Sequence, residues 1–233
     1  MRARALIVAA MALTALAAPA AAKPPVIDQL VVFRSGEALA KRVSTAGVLV
    51  RAGGRRCAAG DGTALAALVR SRPGRLGVRD FGACSRRPRD GAGLFVQSIR
   101  NDRNFGQNGW VYKVGRRGAT AGAADPSGPF GRGRIRAGQR VTWFFCRLVA
   151  GGCQRTLELR LTSERGAVLA TVHGYNDEGR GVAVEGATVR AGSTTALTAA
   201  DGNARLTLPP GAHRVTATKD GLVRSFSERV DVP

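Results

Sequence analysis

The run Asn108-Gly109-Trp110-Val111-Tyr112-Lys113-Val114 is followed, after a glycine-rich connection, by Arg136-Ala137-Gly138-Gln139-Arg140-Val141-Thr142-Trp143-Phe144-Phe145-Cys146. Both tryptophans of the chain lie here, each among β-branched and aromatic neighbours that favour strands. Asn108-Gly109 reads as the turn that opens the first strand. Trp110, Tyr112 and Trp143 alternate along these strands or end them. They form either a face that stacks on a sugar ring or flat ligand, or the large side chains of a core.

Towards the N-terminus, Val26 to Phe33 is a β-branched strand, and Val48-Leu49-Val50 is another, closed by the turn Gly53-Gly54. Ala64, Leu65, Ala67, Leu68 and Val69 have helical spacing, with Asp61 or Thr63 as N-cap and Pro73-Gly74 as the stop. Leu94 to Ile99 reads as a further strand. One helix on a small mixed sheet is a β-grasp-like, α+β arrangement. Beyond it, Leu157, Leu159 and Leu161 alternate with polar residues, as do Val168, Ala170 and Val172. Turn chemistry recurs at Asp177-Glu178-Gly179, Asp201-Gly202-Asn203, Pro209-Pro210-Gly211 and Lys219-Asp220-Gly221, which points to a β-sandwich. The fold class is therefore mainly β: an α+β domain with one helix over 23–154, then an all-β Greek-key sandwich over 155–233.

The Gly109-Trp110-x-Tyr112-x-Val114 strand, the glycine-rich loop and the basic-Gly138-x-x-Val141 strand ending in aromatics resemble a family of small secreted domains of unknown function. That family is related to the C-terminal β-domain of transcobalamin and to soluble-ligand-binding β-grasp domains. The resemblance covers roughly Val43 to Phe145, and the family also carries a Thr-Ala-Leu-x-x-Leu helix, here from Thr63 to Leu68. Gly115-Arg116-Arg117 stands where the family has Asn-Gly, and Gln139 where it has Asp, so the loop between them departs from the relatives. Gly186 to Val189, the Thr198-x-x-Asp201-Gly202 turn, Leu206 to Gly211 and Val215 to Gly221 resemble carboxypeptidase-regulatory-like domains. This second resemblance, over about 165–232, implies a transthyretin-like sandwich that serves as a spacer or adhesive unit. The first implies a binding role and, through transcobalamin, a corrinoid-like ligand.

Arg2 and Arg4, the apolar run from Ala5 to Ala18 and Ala20-Ala21-Ala22 read as a secretory signal over 1–22. The apolar run is shorter than the roughly 20 residues of a membrane span, so a secreted chain without a span is expected. In an oxidising compartment Cys57, Cys84, Cys146 and Cys153 favour disulfides. Cys57–Cys84 with Cys146–Cys153 is one of three pairings. The rival, a four-thiolate zinc site, lacks the usual ligand spacing.

No catalytic constellation emerges. His173 and His213 both lie in the sandwich, no Gly-x-Ser-x-Gly elbow exists, and the seven acids of residues 23–154 are scattered. No Lys-Ser/Thr follows the glycine-rich run at Gly128–Gly133, and nothing calls for a metal or cofactor. A non-enzymatic binding or adhesion protein of the cell exterior is the expectation, with an exported enzyme's accessory subunit as an alternative.

Charge gives the other lead. Residues 23–154 carry 24 Lys and Arg against 7 Asp and Glu, whereas residues 155–233 carry 10 against 9. A coding bias towards arginine would load both parts alike. Arg116-Arg117 and the alternating Arg132, Arg134 and Arg136 are candidate ligands, with Trp110 and Tyr112, for a wall polyanion or glycan. Specific nucleic-acid binding is not expected of an exported chain.

Overall fold

A computed structural model describes residues 23–149 and 152–233; the expected signal over 1–22 lies outside the described residues. Strands hold 50% of the described residues and helix 5%, so the fold is mainly β. In the first part, β1 is Val26–Val32, β2 Ala38–Ser44, β3 Val48–Ala52 and β4 Arg55–Ala59. The helix α1 (Ala64–Ser71) follows, then β5 Leu76–Asp80, β6 Leu94–Ile99, β7 Asp102–Arg103, β8 Gly109–Val114, β9 Arg117–Gly118 and β10 Arg140–Cys146.

These strands make two five-stranded sheets, ordered β2-β1-β10-β8-β9 and β4-β3-β5-β6-β7, where one small sheet was expected. Both sheets are mixed, with β1 parallel to β10 and β3 parallel to β5. The helix packs on β1, β2 and β3. Contact with both sheets explains why Ala64 to Leu68 are all buried, since a helix enclosed on most sides needs small and apolar residues all round. Thr63 caps it, its hydroxyl oxygen accepting from the Ala66 N–H at 3.3 Å. Arg72, at φ 52°, ends it in the left-handed conformation before Pro73.

Ile27, Val31, Val141, Trp143 and Phe145 face the first core from the β1–β10 pair, with Trp110 and Tyr112 beside them from β8. The rings interlock: Trp110 stands edge-on to Phe33 and Phe145 at 6.0 and 5.9 Å, and Tyr112 stacks on Trp143 at 5.0 Å. Gln29 shares the buried side of β1, its amide without a hydrogen-bond partner among the described residues.

The second part contains β11 Thr156–Glu164, β12 Ala167–Tyr175, β13 Gly181–Ala183, β14 Thr188–Ala191, β15 Thr194–Leu197, β16 Asn203–Thr207, β17 Gly211–Thr218 and β18 Glu228–Val232. One sheet is β11-β12 with β13 and β16 sharing the far edge of β12, and the other is β15-β14-β17-β18. Leu157, Leu159, Val168, Ala170, Val172, Val189 and Val215 fill a separate core between them. The turn before β16 requires glycine at 202, where φ is +78° and a Cβ would meet the Val172 carbonyl at 2.6 Å.

The cysteines pair as Cys57–Cys84 and Cys146–Cys153, and none is free. This removes the zinc alternative, because no thiolate is left to coordinate. Intramolecular disulfides are the state of an oxidising compartment.

Candidate functional site

Trp110 and Tyr112 do not form an open aromatic face. Trp110 is 3% exposed and its indole N–H donates to the Asp102 carbonyl at 2.8 Å. The Tyr112 hydroxyl reaches the Ala121 carbonyl at 3.1 Å, and burial, then the nearby Asp125 charge, pushes its pKa far above the ordinary value. Alternation puts these rings inward because Val111 takes the other side of β8. Both line a cleft of about 220 Å³ between β6 and β8, with Leu94, Phe95 and Trp143, and Tyr112 also borders an open cavity of about 350 Å³ beside Lys113, Arg117 and Asp177. The first is below the roughly 300–1,000 Å³ of drug-sized sites and the second is at their lower end. The Asn104 amide bridges the β6–β8 cleft, donating to the Val96 carbonyl and accepting from the Trp110 N–H.

Arg116 is committed elsewhere. It donates from Nε and Nη2 to Glu158 of β11 at 2.6 and 2.5 Å, and its guanidinium lies 4.5 Å from the centre of the Tyr175 ring. Arg116, expected as a polyanion ligand, therefore has its charge matched by Glu158. Arg140 makes the same two-pronged bond to Glu228 and lies over Phe226. Between them Lys113, 1% exposed, donates to the Tyr175 carbonyl at 2.9 Å and sits 3.2 Å from Asp177. Burial lowers its pKa and the Asp177 charge partly restores it. These three cations of the first part thus grip three acids of the second. They ring a small apolar seam of Leu30, Val32, Phe144 and Val223.

The bond from Arg116 holds the Glu158 carboxyl below its ordinary value of 4.5, against the opposing effect of burial. A carboxyl whose folded pKa is depressed stabilises above the unfolded value, and that contribution disappears as pH falls through the folded one. Thermal melts should therefore lose stability on acidification below about pH 4.5, and Glu158→Gln should flatten that loss. An unchanged acid profile in the variant would show that Glu158 contributes nothing there.

Arg117 lies 5.3 Å from the centre of the Phe130 ring, with its stem against Gly179 of the second part. Arg132, Arg134 and Arg136 are all exposed and make no ion pair among the described residues, but they are not an alternating strand. Gly133, at φ +107°, breaks the extension between Arg132 and Arg134. Only Arg134 and Arg136 flank an inward residue, Ile135, whose N–H donates to the Gly62 carbonyl. The sequence reading missed the seam residues Lys113, Arg140, Glu158, Asp177 and Glu228. Its one legible signal was Lys113, a lone lysine inside an otherwise apolar strand.

No three His, Cys, Asp or Glu side chains cluster as metal ligands among the described residues. No helix among them is long and apolar enough to cross a membrane. No protein-family model, curated protein or solved structure matches this chain.

Proposed function

We propose that this chain is an exported, non-catalytic binding protein that attaches to polyanions outside the cell through its first part. One observation carries the reading. Of the 24 cations in residues 23–154, five pair with a carboxylate: Arg89, Arg100, Lys113, Arg116 and Arg140. Three of those five are spent on the seam. All 16 acids of the chain lie among the described residues, and none of them forms an ion pair with the other 19 cations (24 − 5). A surface with that surplus concentrates anionic polymers and releases their counterions on binding.

The two disulfides, the signal-like first 22 residues and the resemblance to secreted binding domains support an extracytoplasmic setting. The resemblance of the second part to carboxypeptidase-regulatory-like domains supports a spacer role for it. Chain lacking residues 1–22 should bind immobilised heparin, with log Kd rising linearly in log salt and a slope of about one per anionic group neutralised. Failure to bind at low salt would reject the proposal.

A further inference from the structure

The outward face of the second sheet brings arginines from four strands together. Val50, Ala52, Cys57, Val78 and Val96 point into the first core, so the residues between them point out. Arg51 stands directly opposite Arg56 across β3 and β4. Ala52 is opposite Val78 in the parallel pair, which puts Arg51 beside Gly77. Gly77 is opposite Ser98, and Ser98 is opposite Arg103. The row Arg56–Arg51–Gly77–Ser98–Arg103 therefore crosses all five strands, about 19 Å at ordinary strand spacing. Its middle is low, because Gly77 has no side chain and a Cβ there would run into the Ser98 hydroxyl.

One step along β5 lies a second row, in which Arg79 is opposite Phe95. Phe95 is 42% and Phe81 66% exposed, and the two rings meet edge-on at 5.8 Å. The Arg79 guanidinium covers Phe81 at 4.7 Å. None of Arg51, Arg56, Arg79 and Arg103 pairs with a carboxylate. The neighbouring acids are occupied: Asp80 accepts from the Gly82 and Cys84 N–H groups, and Asp102 from that of Arg34.

We infer that this face is the polyanion site, and that its ligand is an acidic polysaccharide. The inference rests on the binding role proposed above and specifies its place and ligand. Carboxylate or sulfate groups pair with the four guanidiniums, which suit planar oxyanions, while a sugar ring packs on the Phe81–Phe95 ridge. A bilayer fits less well, because exposed Leu49 is separated from the phenylalanines by Arg51 and Arg79 and the apolar groups form no continuous patch. Single-stranded nucleic acid would use the same chemistry, but the disulfides place the protein where glycans are the abundant polyanion.

The test compares binding of the chain lacking residues 1–22 to heparin, polygalacturonate, polyphosphate, oligo-dT and anionic vesicles. Arg51→Ser/Arg56→Ser/Arg79→Ser should weaken heparin and polygalacturonate binding about ten-fold or more and lower the salt slope by about two to three. Phe81→Ser/Phe95→Ser should weaken both glycans several-fold and leave ring-free polyphosphate unchanged. Arg132→Ser/Arg134→Ser/Arg136→Ser should have the smaller effect. Should the triple sheet variant melt early, Arg51→Ser alone must still remove about one unit of slope. Full binding by the sheet variants with loss in the 132–136 variant would overturn the site while leaving the polyanion role intact. Tighter binding to oligo-dT or vesicles than to either glycan would overturn the ligand class. No wild-type binding to any of the polyanions would remove the role itself.

Discussion

Replacing both Cys57 and Cys84 by alanine should destabilise the first core by about 3.5 kcal/mol. The bridge joins residues 27 apart in sequence, and in the chain-entropy account a loop of that length costs the denatured state roughly this much freedom. The loop contains the whole of α1, so the cross-link keeps the helix near β4 even in the unfolded chain. Both half-cystines are buried in the first core, and their loss also leaves small voids there. Both tryptophans belong to that core, so tryptophan fluorescence in a denaturant titration reports on it without interference from the sandwich. A shift worth less than about 1 kcal/mol would mean that the denatured chain is already held compact by other contacts. The Cys146–Cys153 bridge, spanning only 7, should be worth less, about 2.5 kcal/mol.

Lys113→Ala should cost about 2–3 kcal/mol, with the loss concentrated at the seam. Removing one member of a buried ion pair is usually worth about 3–5 kcal/mol. Here the cost is at or below the low end, because Asp177 is 36% exposed and water can take over its charge. What remains unpaired is the Tyr175 carbonyl, which loses its donor, and the space vacated by a four-carbon stem beside Phe144. Lys113→Met, which keeps the volume, should recover about half of the loss. Denaturant titrations of the three proteins would decide the matter. Equal losses in the alanine and methionine variants would assign the effect to charge, and no loss in either would remove Lys113 from the seam's energetics.

Local chemistry made part of this fold legible from the sequence. Thr63 three residues before Ala66, and Pro73 just past the last helical turn, mark α1 without reference to anything distant. The β-branched run of β1 and the aromatic runs of β8 and β10 declare themselves in the same way. β2 does not: Ala-Leu-Ala-Lys-Arg-Val-Ser has no strand bias, and it is a strand because seven of its residues fall in register with β1. The same limit applies to the basic residues. Arg116 and Arg132 read alike in the sequence, yet one is held by Glu158, 42 residues later, and the other is free. The Arg51–Arg56 pair was missed because a β-turn, not a charge run, brings the two residues together.

The disulfide at Cys146 has a mechanical meaning. β10 is the middle strand of the first sheet, bonded to β1 on one side and β8 on the other, and its last residue is tied to Cys153, three residues before β11. Tension on the sandwich while the first part grips a surface would therefore enter the sheet at its centre. It would have to shear two ladders at once rather than peel an edge strand. Cys146–Cys153 also removes the slack between the parts, so a load would arrive with little stretch. Built this way, the junction would transmit a pull between a surface and whatever the sandwich carries, and the connection would be the last part to yield.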